Sequence, residues 1–369
     1  MSNGLLPTGV DRVGLAYVER YQHSARAVLS KQGFAKILSE RSTERIFGAI
    51  LDQSRSREEF GLLIARSLLI PNRERFGRAI LLHTSHNGME HVRYYRAMRR
   101  HGARLVFMVH DLIPLSHAEY CRPGIEARHR HRIHTALCMA DGLISNSHET
   151  LASLEAEARR AGLTLPPSVV APLAPGITSI ADGPPPLATP YFVMLGTIEP
   201  RKNHWLMLHV WRRLVETFGE QAPRLVIIGR RGWECENVVD MLERCEPLQG
   251  MVIEEAHCTD GRLRMWLSHA QALLFPSFAE GYGMPLVEAL LLGIPVLASD
   301  LSVFREIAGD IPDYLDPLDG PGWAARICAY ARRDSNERSA QCVRALGFRA
   351  PTWQEHFERV DHFLATLPT

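Results

Sequence analysis

Along the second half of the chain, apolar runs of strand length alternate with stretches whose apolar positions recur every three or four residues. The runs are "YFVMLGT" (191–197), "RLVIIGR" (224–230), "MVIEEA" (251–256), "ALLFPS" (272–277) and "PVLASD" (295–300). Strands covered on both faces of a sheet read as nearly continuous apolar sequence, because neither face meets water. A helical pattern follows each run. After the first, Leu206, Val210 and Leu214 share one face, and Thr259 and Asp260 open a later helix with capping side chains. Strand, helix, strand with short connections predicts an α/β architecture: a parallel sheet with helices on both faces. The first half repeats this grammar less regularly, with strand candidates "AILLHTS" (79–85), "RLVFMVHD" (104–111), "DGLISNS" (141–147) and "SVVAPLAPG" (168–176) and helical patterns at 88–101 and 122–140. Between the halves "GITSIADGPPPLATP" (176–190) is rich in Pro and Gly, lacks periodicity and reads as a linker. The expected division is therefore a doubly wound domain over 1–176, a linker over 177–190 and a second such domain over 191–350. The chain enters a helix near Val10 with no apolar strand before it, so the first strand is either missing or dispensed with.

A length of 369 residues supports two domains with full cores, and 46% hydrophobic with 22% charged residues is ordinary for a soluble protein. The formal net charge of +1 gives no electrostatic case for nucleic acid. It conceals an asymmetry: residues 1–175 carry 24 Lys and Arg against 16 Asp and Glu, and the remainder is correspondingly acidic. A basic first half suits a lipid phosphate, a membrane surface, or simply the acidic second half. Seven scattered cysteines with no C-x-x-C pair point to a reducing cytoplasm. No signal peptide or membrane-length apolar run is present, so the expectation is a cytoplasmic protein, at most peripheral at the inner face of the membrane.

In open parallel sheets, ligands bind beyond the carboxyl ends of the strands. The segments there are "IEPRKN" after 191–197, "RGWE" after 224–230, "FAEGYGMPLVE" after 272–277 and "HDLIPL" after 104–109. In the third, Gly281 and Gly283 allow close approach, Pro285 suits a first helical position, and free N–H groups at a helix start form an anion site. Glu280 and Glu288 flank that loop. A carboxylate can accept two hydrogen bonds from a vicinal diol such as a ribose, or it can be a surface acid stabilised by the helix dipole. Arg201 and Lys202 suit a diphosphate or are a solvated pair, and Arg230 and Arg231 pose the same choice. His110 with Asp111 is a polar contact, a proton carrier or a structural pair. Gly9, in "PTGVDRV" (7–13), opens another short candidate phosphate loop. "RHRHRIH" (128–134) reads as a basic helix face, since its arginines would repel a metal ion. No G-x-G-x-x-G, P-loop or G-x-S-x-G motif is present, and no D-x-D that would hold Mg²⁺ on a diphosphate.

Taken together, "PTGVDRV" (7–13), "HDLIPL" (110–115), "GTIEPRKN" (196–203), "EGYGMPLVE" (280–288) and "ASDLSVFREIAGD" (298–310) resemble the retaining glycosyltransferases of family 4, with Glu280 and Glu288 as the family's E-x7-E pair. The resemblance covers nearly all of the chain and implies the GT-B fold, two Rossmann-like domains facing across a cleft, with a C-terminal helix in 351–369 crossing back to the first. It implies a nucleotide-sugar donor as substrate, no metal and no further cofactor. Glu288 would hold the ribose, and Glu280 would contact the donor sugar. Lys202, helped by Arg201, would bind the diphosphate. Backbone groups of Gly281, Tyr282, Gly283, Met284, Pro285 and Leu286 would contact sugar or phosphate, Gly9 would approach the phosphates, His110 would face the donor sugar, and the turn at Glu255 would frame the base. Many relatives have arginine where this chain has Thr197, which leaves Arg201 or Arg230 to supply that charge. Bacterial surface-polysaccharide mannosyltransferases are the most similar group, which implies GDP-mannose. UDP-glucose, UDP-GlcNAc and dTDP-rhamnose stay open as donors. The acceptor would be a glycan or lipid-linked oligosaccharide. A dehydrogenase, a sugar-nucleotide epimerase or phosphorylase, and a non-catalytic scaffold are the rival readings.

Overall fold

Parallel pairing governs both large sheets of the computed structural model, which describes residues 9–31, 33–52, 56–70 and 79–367. By contact density the chain divides into two units. One takes Met1–Leu115, Gly124–Leu173 and Trp353–Thr369; the other takes Ser116–Pro123 and Ala174–Thr352. The chain thus lends an eight-residue segment of its first half to the second unit.

In the first unit an antiparallel hairpin, β1 (Val28–Lys31) and β2 (Phe34–Ile37), precedes a parallel sheet of β3 (Ile80–His83), β4 (Arg104–Val109), β5 (Gly142–Ser145) and β6 (Ser168–Val170), in that spatial order. The hairpin was not legible in the sequence, because its four-residue arms have neither an apolar run nor a strong alternation. Central β4 is buried from Leu105 onward and packs against Tyr95, Met98 and Ile133. The helix Gly9–Tyr21 begins at Gly9, as the sequence suggests; Pro7 and Thr8 of that motif lie outside the described residues. Its Tyr17 hydroxyl meets Nε2 of His356 at 3.0 Å, and Tyr21 donates to Asp361 at 2.6 Å, so the C-terminal helix Trp353–Thr366 packs within this unit.

Six strands form the second unit's sheet: β7 (Tyr191–Leu195), β8 (Arg224–Ile228), β9 (Val252–Glu255), β10 (Leu273–Phe275), β11 (Val296–Ser299) and β12 (Asp313–Leu315), in the order β12-β11-β10-β7-β8-β9. Five of them coincide with apolar runs. β12 was missed because "DYL" is three residues long and carries an acid. The helix His204–Phe218 buries Met207, Leu208, Val210, Trp211 and Leu214 against this sheet and against the helix Gly320–Ala331. Trp211 and Trp323 are fully buried, yet each indole N–H reaches a backbone carbonyl, of Pro223 at 2.8 Å and of Asp316 at 2.9 Å. The chain order departs from the spatial order between β7 and β10, which are adjacent. That reversal is where doubly wound sheets open a crevice at their carboxyl edge.

Candidate active site

β7 ends at Leu195, and the next residues turn sharply. Gly196 has φ +139, and a 3-10 turn over Pro200–Lys202 delivers Lys202 back beneath it. A Cβ on Gly196 would stand 3.2 Å from Cε of Lys202, so the missing side chain is what lets the lysine lie there. β10 ends at Phe275, and the loop that follows is tied to the first by the N–H of Phe278, which donates to the carbonyl of Arg201 at 2.8 Å.

This knot of backbone brings four charges together. Nζ of Lys202 is 2.6 Å from Oε1 of Glu280, and a guanidinium nitrogen of Arg201 is 2.8 Å from Oε2. Nε of Arg201 is 2.6 Å from Glu199. Ser277 donates its hydroxyl to Glu280 at 2.8 Å, and Lys202 also sits 4.8 Å from the centre of the Phe275 ring. Both carboxylate side chains are almost wholly buried. Burial alone would raise the Glu280 pKa, but the charges of Arg201 and Lys202 outweigh it and bring the value to about 2. Burial pushes the Lys202 pKa down, and Glu280 opposes that shift. Glu280 is thus a fixed anion whose two oxygens are already engaged, which suits an electrostatic or positioning role better than proton donation. Glu199 and Ser277 were not anticipated from the sequence. An acid two positions before Arg201 was the available signal for Glu199, while Ser277 gave none.

Beyond Glu280 the chain enters the helix Met284–Leu291 through Gly283, at φ +120, where a Cβ would lie 2.8 Å from the Phe304 ring. Among the described residues, the N–H groups of Gly283 and Met284 carry no hydrogen bond. That of Leu286 is turned back to the carbonyl of Gly283 at 3.0 Å, and Pro285 has none. The anion-binding capacity expected over 283–286 is therefore concentrated at two amides. Side chains of Tyr282 and Leu286 are buried in the core. Glu288 is 4% exposed and accepts the N–H of Gly176 at 3.0 Å, so it is no surface acid.

At the neighbouring strand end, Arg231 is held by Glu254 and Glu243, at 2.8 and 2.5 Å. Arg230 is exposed. Thr197 lies on the same β7–β8 edge, and Glu255 is paired with Arg262. His110 and Gly9 belong to the other unit. Gly9 is exposed at its helix start. His110 is buried, with Nε2 2.8 Å from the carbonyl of Thr84 and its backbone N–H donating to Nε2 of His86 at 3.0 Å. The basic-face reading of 128–134 needs correction. His129 is buried against His86, while Arg130 and His134 converge on the buried Glu157.

Two Rossmann-like units with this strand order define the GT-B fold, and solved structures agree. The Anabaena protein HepE, crystallised with UDP and glucose, superimposes with a TM-score of 0.69 at 14% identity, covering 100% of this chain and 98% of its own. More particularly, residues 178–311 match the family described as glycosyl transferases group 1. The serotype-specific mannosyltransferase WbdA of Escherichia coli is 30% identical over 241 residues, which is 61% of this chain and 29% of that protein. The O-antigen chain mannosyltransferase B of the same organism is 32% identical over 145 residues, 39% of this chain and 38% of that protein. The chain spans between a quarter and two fifths of the length of these relatives.

Proposed function

We propose that this chain is a hexosyltransferase that takes a sugar from a nucleotide diphosphate and passes it to a hydroxyl of a glycan or lipid-linked acceptor, with retention of configuration and without a metal. The observation that carries the reading is the grip of Lys202 and Arg201 on Glu280 at the carboxyl ends of β7 and β10, beside two unpaired helix-start amides. When the C1–O bond of such a donor breaks, negative charge grows on the departing diphosphate. Preorganised cations and N–H dipoles in a dry site stabilise that charge without reorganising. Glu288 is a buried carboxylate that accepts the N–H of Gly176, and a carboxylate can also accept the hydroxyls of a ribose.

Mannose from GDP-mannose is the donor we favour, because WbdA and the O-antigen chain mannosyltransferase B, 30% and 32% identical over their matched lengths, are named mannosyltransferases. The second reading is a UDP-sugar, supported by the likeness to HepE, whose structure holds UDP and glucose. Polysaccharide assembly at the cytoplasmic face of a membrane is the setting we propose; among the described residues no helix is long and apolar enough to cross one. The test is a thermal-shift and turnover panel of GDP-mannose, UDP-glucose, UDP-GlcNAc and dTDP-rhamnose, in EDTA and then with Mg²⁺. Stabilisation and acceptor-dependent release of GDP in EDTA are expected. Activity that appears only with Mg²⁺ would overturn the metal-free mechanism, and binding of no nucleotide sugar would overturn the function.

A further inference from the structure

Ser116–Pro123 comes from the first half of the sequence yet packs as part of the second unit. Its anchors there are aromatic. The Tyr120 ring lies flat against Phe278, with centroids 5.1 Å apart and planes 12° from parallel, and His117 stacks on Tyr120 at 6.0 Å and 13°. A second anchor is Trp233. The Arg122 guanidinium stands 5.3 Å over its ring, and its indole N–H points to the carbonyl of Tyr120 at 3.4 Å. Phe278 follows β10 and Trp233 follows β8, and in the sheet those two strands flank β7. The segment is thus fastened on both sides of the carboxyl end of β7, from which the turn Pro200–Lys202 springs.

Backbone joins what Tyr120 touches to the charged site. The N–H of Phe278 donates to the carbonyl of Arg201 at 2.8 Å. The carbonyl of the next residue, Ala279, accepts from the Arg201 guanidinium at 3.0 Å, and Glu280 follows directly. A tilt of Phe278 would therefore shift an acceptor that orients Arg201 and the carboxylate that meets Lys202. The Phe278 side chain is only half-buried, and the flat face of Tyr120 is what restrains it from outside. The Tyr120 hydroxyl has no hydrogen-bond partner among the described residues, so the ring carries this contact.

We infer that Tyr120 is a positioning residue for the proposed transfer: its ring clamps Phe278 and, through the backbone of 278–280, holds Arg201 and Glu280 in place for the chemistry. The inference rests on the nucleotide-sugar reading and adds to it a residue from the first half of the sequence. Rates depend steeply on such placement, since a shift of about 1 Å caused by a remote change can cost about 100-fold.

Tyr120→Ala and Tyr120→Phe in the full chain test this, with the nucleotide sugar that the wild type turns over. In Tyr120→Ala, kcat is expected to fall at least about tenfold, with the donor KM within about threefold and the melting temperature within about 5 °C of wild type. Hydrogen-exchange protection of the amides in 276–280 should fall at least about tenfold, while that of 192–195 is unchanged. Tyr120→Phe should restore both kcat and protection. Should Tyr120→Ala fail to fold, Tyr120→Leu, which keeps apolar bulk without the flat face, carries the same expectations. A kcat within about twofold of wild type in the alanine or leucine variant would overturn the inference and leave the function standing. A lost kcat with unchanged protection in 276–280 would also overturn it, because the ring would then act by some route other than Phe278. Failure of Tyr120→Phe to restore kcat would overturn it by assigning the effect to the hydroxyl. A wild type that turns over no nucleotide sugar removes the function and this inference with it.

Discussion

The Lys202 ammonium meets the Glu280 carboxylate at 2.6 Å across 78 positions of sequence, under the ring of Phe275. Neither residue could be buried alone at tolerable cost, because an isolated charge in a dry interior loses its hydration and gains nothing. The pair is therefore both a catalytic candidate and a structural one, and the two roles separate by substitution. Glu280→Ala leaves Lys202 buried without its carboxylate and Arg201 with Glu199 alone, which predicts a loss of about 3–5 kcal/mol in unfolding free energy, read from denaturant midpoints. Lys202→Ala leaves Glu280 with Arg201 and Ser277 and should cost less stability. Turnover in that variant should nonetheless fall by at least about 100-fold. Near-normal turnover in Lys202→Ala would remove it from the chemistry.

Glu288 accepts an N–H from Gly176, in the linker, so its replacement has a local structural cost too. Glu288→Gln keeps an acceptor for that N–H and exchanges only the charge. Glu288→Ala should weaken binding of a bare nucleoside diphosphate by about tenfold, and Glu288→Gln by less, as measured by calorimetry. Equal affinity in wild type and Glu288→Ala would take the residue out of the ribose site.

Acid should loosen the first unit before it reaches the Lys202–Glu280 pair. Burial lowers the pKa values of His86, His110 and His129, with neighbouring histidines and Arg132 adding to the effect at His86. These groups bind protons more readily unfolded than folded, so stability is complete above about 6.5, the unfolded value, and declines as pH falls below it. Glu280, depressed to about 2 from 4.5, contributes stability that is complete above 4.5 and is lost progressively as pH falls from there through about 2. Hydrogen-exchange protection, corrected for the slower intrinsic exchange at lower pH, should therefore fall in 105–109 before 192–195 between pH 7.5 and 5.5. His86→Gln, which retains an acceptor for the His110 N–H, should make the pH dependence shallower; an unchanged slope would show that His86 does not carry it.

Gly229 and Gly196 are close neighbours with different tolerances. Alanine at Gly229 drives a Cβ into backbone, where nothing can swing aside, and predicts a loss of more than about 3 kcal/mol, seen as a lowered melting temperature. Alanine at Gly196 meets only the flexible end of Lys202, at 3.2 Å, although its φ of +139 adds strain. That variant should lose more in kcat than in stability. The reverse ordering of the two variants in thermal stability would contradict the strand-end geometry.

Much of the second unit was legible in the chain itself. Apolar runs located five of six strands because doubly covered strands allow few other residues, and the glycine loop before Pro285 marked a helix start with open amides. The hairpin Val28–Ile37 and the strand Asp313–Leu315 were not legible, since short edge elements draw their stability from neighbours rather than from their own pattern.

Residue order and type thus determined the α/β class, the carboxyl-edge location of the chemistry and the roster of candidate charges. Tertiary structure alone decided which of those charges are already partnered. Periodicity is local and survives in one dimension, whereas the pairing of Arg201 with Glu199 and Glu280, or of Arg231 with Glu243 and Glu254, depends on distances between distant segments that only packing and strand register set.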